Sequence, residues 1–201
     1  MVPEPPGTAG AAGGGTGVEL LYDTATVRAN VAELGARLTQ DLGPITSGVG
    51  SEPLLLAILG GSLIFLADLV RAIDRPIRFE LIQVGSSAGA EIGEVPGPSE
   101  SVLNLHYPIP VDIEERRVVV LKDVVSSGVI EIYLGEQLRQ HGAREVRFAA
   151  LIDLPDERKT AFTVDYSAFS TWRDGLLVGY GLKHEGRYGN LPYIGRLPAP
   201  G

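Results

Sequence analysis

The chain has 201 residues, 44 % of them hydrophobic and 21 % charged, with no cysteine and a formal net charge of −8. That mixture can bury a core and fits one domain, and the missing thiols exclude disulfides and thiolate metal sites. No apolar run reaches the ~18 residues of a membrane span, and the acidic balance disfavours nucleic acid, although a local pocket can still hold a small phosphorylated ligand.

Residues 1–17 are rich in Gly, Pro and Ala and read as a disordered tail, which leaves 18–201 as the folded domain. The tail has neither a basic n-region nor an apolar h-region, so a cytoplasmic location is expected. VELLYD, from Val18, reads as a strand. Val27, Val31, Leu34, Leu38 and Leu42 recur at helical spacing and predict a helix over Thr24 to Leu42, stopped by Gly43 and followed by a polar Gly/Ser loop. PLLLAIL, 53–59, is a continuous apolar run, as expected of a strand buried on both faces of a parallel sheet. Gly60-Gly61 and an amphipathic helix from Ser62 to Ile73 complete a strand–turn–helix unit, and IRFELIQVG is the next strand. Residues 85–101 have the composition of a mobile loop or lid. Further strands are expected at LNLHY, RRVVVLKDVV, EVRFAALID, Asp165 to Phe169 and Leu176 to Leu182, with a helix after Ser126-Ser127-Gly128 that ends at Gly142. Strands alternating with helices predict an α/β fold with a parallel sheet and right-handed crossovers.

In such a sheet, ligands bind beyond the carboxyl ends of the strands. Four segments leave those ends: Gly60-Gly61, the Asp123 to Gly128 turn, the Asp153 to Arg158 loop and the Lys183 to Asn190 stretch. Ser126, Ser127 and Gly128 open a helix, where free N–H groups and the helix dipole favour an anion. The same residues also suit a plain helix cap. Neither a Walker loop nor a GxGxxG fingerprint is present.

VVVLKDVVSSGVI resembles the ribose-phosphate loop of type I phosphoribosyltransferases, written E-D-x-x-D-[ST]-G-x-T. VGYGLKHEGRYGNLPYIG and ILGGSLIFLADLV narrow the resemblance to the hypoxanthine-guanine branch, and it extends from about residue 18 to 197. It implies a type I phosphoribosyltransferase-like parallel sheet of five core strands flanked by helices, a mobile loop and a small C-terminal hood. The implied activity transfers a ribose phosphate from phosphoribosyl pyrophosphate to hypoxanthine or guanine, with Mg²⁺, giving IMP or GMP in purine salvage.

Set against that pattern, the site residues depart. The acidic pair becomes Lys122-Asp123, and the acid placed to act on the purine becomes Ser126, a poor general base without an activating partner. Ser127 and Gly128 keep the phosphate-loop positions, while the final Thr is Ile130. Gly60 replaces the Lys of a Lys-Gly turn whose Gly61 is kept, and the mobile loop's Ser-Tyr pair aligns with Val84-Gly85. Leu154 stands where a Lys would reach the purine oxygen, Lys183 where an Asp would bind magnesium, Gly189 where an Arg would grip pyrophosphate, and the stacking aromatic falls near Leu176. An ammonium cannot coordinate Mg²⁺, so Lys122 or Lys183 is expected to stand in for the metal's charge, with Lys122 able to pair with Asp123.

Several residues also have ordinary explanations. His106 and His184 read as surface or hydrogen-bonded histidines, Glu114 to Arg117 as a solvated turn, and Arg158 and Lys159 as solvated loop charges, with contact to an anion the rarer case. Trp172 fits either a pocket wall or the core. The expected function is a catalytically degenerate purine phosphoribosyltransferase homologue that binds a nucleotide or a partner subunit, as a homo-oligomer or with a related subunit. An active enzyme with an atypical site is the alternative. Asp123, Ser126, Ser127, Gly128, Gly60 and Gly61 are the candidate phosphate and ribose contacts, and no metal ligand is assigned.

Overall fold

A computed structural model describes residues 17–43, 52–86, 103–106, 112–172 and 175–198. The expected tail up to residue 16, most of the 85–101 loop and the polar loop after Gly43 lie outside these residues. The strands are β1 (Glu19–Tyr22), β2 (Leu54–Ile58), β3 (Arg78–Ser86), β4 (Leu103–His106), β5 (Arg117–Val125), β6 (Glu145–Asp153), β7 (Tyr166–Ser170), β8 (Leu176–Val178) and β9 (Ile194–Leu197). The helices are α1 (Thr24–Asp41), α2 (Ser62–Ala72) and α3 (Val129–Gln140).

The main sheet runs β4-β3-β2-β5-β6-β7. Its five strands β3, β2, β5, β6 and β7 are parallel, and β4 adds antiparallel to the β3 edge. Alternation within the central strands builds two cores. Leu55, Ala57, Val119 and Leu121 face the α1 and α2 stripes of Val27, Val31, Leu34, Leu38, Phe65 and Leu69. Leu54, Leu56, Val118 and Val120 face Leu134 and Leu138 of α3. The unbroken apolar run of β2 is thus a strand covered on both sides. Asp23 caps α1 by accepting the Thr26 N–H at 2.7 Å.

A second, three-stranded antiparallel sheet, β1-β9-β8, joins the start of the domain to its end and forms the hood. Two expectations need correction. The strand read over Leu176 to Leu182 ends at Val178, because Gly179, Tyr180 and Gly181 have φ of +94°, +51° and +96°, which no strand tolerates. The Glu114 to Arg117 cluster is not simply solvated. Arg116 is buried, with Nε and Nη2 donating to the main-chain oxygen and carboxylate of Asp112, and Arg117 donates to the Leu42 carbonyl.

Candidate functional site at the carboxyl edge of the sheet

Parallel pairing brings the carboxyl ends of β2, β5 and β6 to one edge. On the α2 side of β5, the Asp123 carboxylate turns to the β2 turn. Its Oδ2 accepts the Gly61 N–H at 3.1 Å and its Oδ1 accepts the Val124 N–H at 2.8 Å. A Cβ on Gly61 would lie 2.4 Å from Oδ2, so glycine is required here by close approach.

Lys122 does not join Asp123. Neighbouring residues of a strand point to opposite faces, and the Lys122 ammonium goes to the α3 side. There Nζ lies 3.9 Å from Oε1 of Glu131, a carboxylate only 3 % exposed. That oxygen has no hydrogen-bond partner.

After β5 the chain turns through Ser126-Ser127-Gly128 into α3. Gly128 holds φ +80° as the N-cap, and a Cβ there would meet Thr160 Oγ1 at 2.5 Å and Phe162 Cβ at 2.9 Å. The turn is tied to the loop after β6. Arg158 donates to the Ser126 carbonyl and to the Asp153 carboxylate, and the Lys159 N–H donates to the Ser127 carbonyl at 3.0 Å. Arg158 is therefore a built part of the turn, not the solvated charge expected. Ser126, Ser127, Asp156, Glu157, Arg158 and Lys159 line a cleft of ≈ 480 Å³.

The hood closes over the β2 turn. A Cβ on Gly181 would lie 2.3 Å from the Gly61 carbonyl oxygen. Buried Tyr180 donates from its hydroxyl to Asp68 Oδ2 of α2 at 2.6 Å, and burial, with Asp68 beside it, pushes its pKa far above the ordinary phenol range. Lys183 is exposed, and Gly189 packs on its stem. Leu154 is fully buried in the core, Trp172 is 45 % exposed, and half-buried His184 exchanges main-chain bonds with Arg187. Val84 and Gly85 continue β3 opposite Leu105 and Asn104, and the His106 side chain lies outside the described set.

Sequence reasoning passed over Glu131, although a signal was present. Glu131, Leu134 and Leu138 share the buried stripe of α3, and a lone acid on such a stripe marks a special position. Asp123 is the one carboxylate described at the end of β5, and magnesium sites commonly use one or two carboxylates together with waters and substrate phosphates. Each oxygen of Asp123 accepts a main-chain N–H, and the described residues hold no cluster of three or more His, Asp or Glu side chains.

Comparison with known proteins agrees with this architecture. Residues 18–182 match the phosphoribosyl transferase domain family. Hypoxanthine-guanine phosphoribosyltransferase of Streptococcus pneumoniae is 34 % identical over 82 % of this chain and 84 % of its own length. That of Mycobacterium tuberculosis H37Rv is 33 % identical over 89 % of this chain and 85 % of its own. The crystal structure of a Bacillus anthracis hypoxanthine-guanine phosphoribosyltransferase superposes with a TM-score of 0.74 at 27 % identity, covering 89 % of this chain and 96 % of that one. By sheet order, by hood and by this likeness across most of its length, the chain belongs to the hypoxanthine-guanine phosphoribosyltransferase family, with the type I phosphoribosyltransferase fold.

Proposed function

We propose that this chain binds a phosphorylated ribose compound or nucleotide at the carboxyl edge of the sheet and transfers the ribosyl group poorly or not at all. The observation that carries the reading is a contrast. The turn at Ser126, Ser127 and Gly128 opens α3 and is braced by Arg158, while Lys122, Ser126 and Lys183 stand where the resemblance would place acids. N–H groups at the start of α3 suit a phosphate. Asp123, held by Gly61, is placed to meet ribose hydroxyls, and Gly60 is the exposed residue of the β2 turn. Ser126 offers a neutral hydroxyl where proton transfer needs a base. Leu154, sealed in the core, cannot present a polar group to a purine.

The matching role is regulatory or scaffolding, in the cytoplasm, as a homo-oligomer or beside a related subunit. Leu63, Ile64 and Phe79 are apolar side chains 52 %, 42 % and 54 % exposed, which supports a subunit contact. A second reading has its own support. Identity of 34 % to a purine salvage enzyme over most of the chain favours an active transferase that makes IMP or GMP with Mg²⁺ at an atypical site. Calorimetric titration with phosphoribosyl pyrophosphate, IMP and GMP, each with and without Mg²⁺, followed by turnover with hypoxanthine and guanine, separates the two. Metal-independent binding without turnover is expected. Magnesium-dependent turnover would establish the enzyme instead, and no binding would leave only the subunit role.

A further inference from the structure

The Lys122–Glu131 pair is hard to explain as a stabilising device. Glu131 is 3 % exposed on a stripe otherwise filled by Leu134 and Leu138, and a leucine would fit the pattern. Buried ion pairs are often no more stable than apolar residues of the same volume. This one is weaker than most, because 3.9 Å exceeds a hydrogen bond and Glu131 Oε1 stays unsatisfied. The arrangement does two other things. It holds the Lys122 ammonium against Glu131 of the first turn of α3, the turn proposed above to receive a phosphate. It also leaves the ammonium's donors uncommitted, with 19 % of the side chain open to solvent.

We propose that Glu131 is a positioning residue that fixes the Lys122 ammonium at the carboxyl edge of β5, where it binds the diphosphate of a ribose phosphate ligand with no divalent metal. The inference rests on the ligand reading above and names its class, a ribose phosphate that carries a second anionic group. The charges balance locally. Glu131 neutralises Lys122 in the empty site and is supported by the α3 dipole, so no unpaired charge is buried before ligand arrives. A diphosphate then draws on a cation already desolvated and oriented, where an unheld lysine would lose side-chain entropy on binding.

The test uses the full chain in EDTA, with phosphoribosyl pyrophosphate and GMP as separate calorimetric probes. Lys122→Met should weaken phosphoribosyl pyrophosphate at least tenfold and GMP less than threefold. Glu131→Gln should give the same split with a smaller loss. Lys122→Met combined with Glu131→Leu should recover the thermal midpoint without recovering the affinity, which also covers the case in which Lys122→Met alone folds poorly. A merely structural pair would move both probes together and recover both with the double variant, and that result overturns the inference. So does a wild-type chain that binds GMP in EDTA but needs Mg²⁺ for phosphoribosyl pyrophosphate. A wild-type chain that binds neither probe, with or without Mg²⁺, removes the ligand reading itself and this inference with it.

Discussion

The two faces of β5 solve the same problem in different ways. On the α2 side, Asp123 is held by main-chain N–H groups of Gly61 and Val124, and the cost falls on backbone geometry, which must be glycine at 61 and glycine again where the hood presses in at 181. On the α3 side, Lys122 is held by another side chain, Glu131, and the backbone is ordinary helix and strand. The difference teaches how far each face can change. A contact made by the backbone cannot be altered without moving two loops. A contact between side chains can be exchanged as a pair.

The comparison is broken most severely from the backbone side. Gly181→Ala forces a Cβ to 2.3 Å from the Gly61 carbonyl oxygen at a φ of +96°. Overpacking and left-handed strain together should cost about 3 to 5 kcal/mol. Urea unfolding should show it as a large fall in midpoint, and the hood should become the first region to exchange its amide hydrogens.

On the α3 side the expected loss is smaller and, unlike the first, reversible. Lys122→Met leaves Glu131 buried without its cation, a change expected to cost about 2 to 3 kcal/mol, below the full range for buried pairs because Lys122 is partly exposed. Adding Glu131→Leu should return stability to within about 1 kcal/mol of wild type, since Leu continues the α3 stripe. No second substitution in a side chain should rescue Gly181→Ala in that way. A double variant as unstable as Lys122→Met alone would show that the two faces do not differ as described.

The framework was legible because periodicity reports burial. The runs at 53–59 and 116–125, the i, i+3, i+4 stripes and the Ser-Ser-Gly turn gave away the central strands, the helices and the turn that opens α3. Three features were not legible. The left-handed run at Gly179, Tyr180 and Gly181 hid inside an apolar stretch that reads as strand, because Tyr180 is a poor advertisement for positive φ. The direction of Lys122 depended on which face of β5 it occupies, and only the pairing register settles that. Arg116 and Arg158 look like surface charges in sequence, yet Arg116 is buried against Asp112, and half-buried Arg158 is held by Ser126 and Asp153 of neighbouring turns, which composition does not reveal.

Arg158 sharpens the comparison at intermediate size, since it links a side chain to the main chain. One guanidinium nitrogen donates to the Ser126 carbonyl and another to the Asp153 carboxylate. Lysine keeps the charge but cannot make both bonds in that fork. Arg158→Lys should therefore cost about 1 to 2 kcal/mol, the scale of one charge-assisted hydrogen bond, and should weaken binding of any phosphate held at Ser126-Ser127-Gly128. Unchanged stability would mean the turn is braced by the Lys159 and Thr160 contacts to Ser127 alone.

Tyr180 should give the smallest effect at neutral pH and the clearest dependence on pH. Its hydroxyl donates to Asp68, and Tyr180→Phe should remove about 1 kcal/mol, the net worth of a typical hydrogen bond. The alkaline limb follows from linkage. Burial first, then the hydrogen bond to Asp68, raises the folded-state pKa above that of an unfolded tyrosine near ~10. The unfolded chain therefore gives up this proton before the folded chain does. The stabilisation is complete below the unfolded value and declines as pH rises above it. Tyr166 is raised in the same direction, mainly by burial, and it remains in the variant. Urea unfolding across alkaline pH should accordingly show a shallower loss of stability for Tyr180→Phe than for wild type, but not a flat one. An identical slope would mean that the hood opens before the tyrosine titrates, and would place the Gly181 contact with Gly61, and not the Asp68 bond, as what holds the hood over the site.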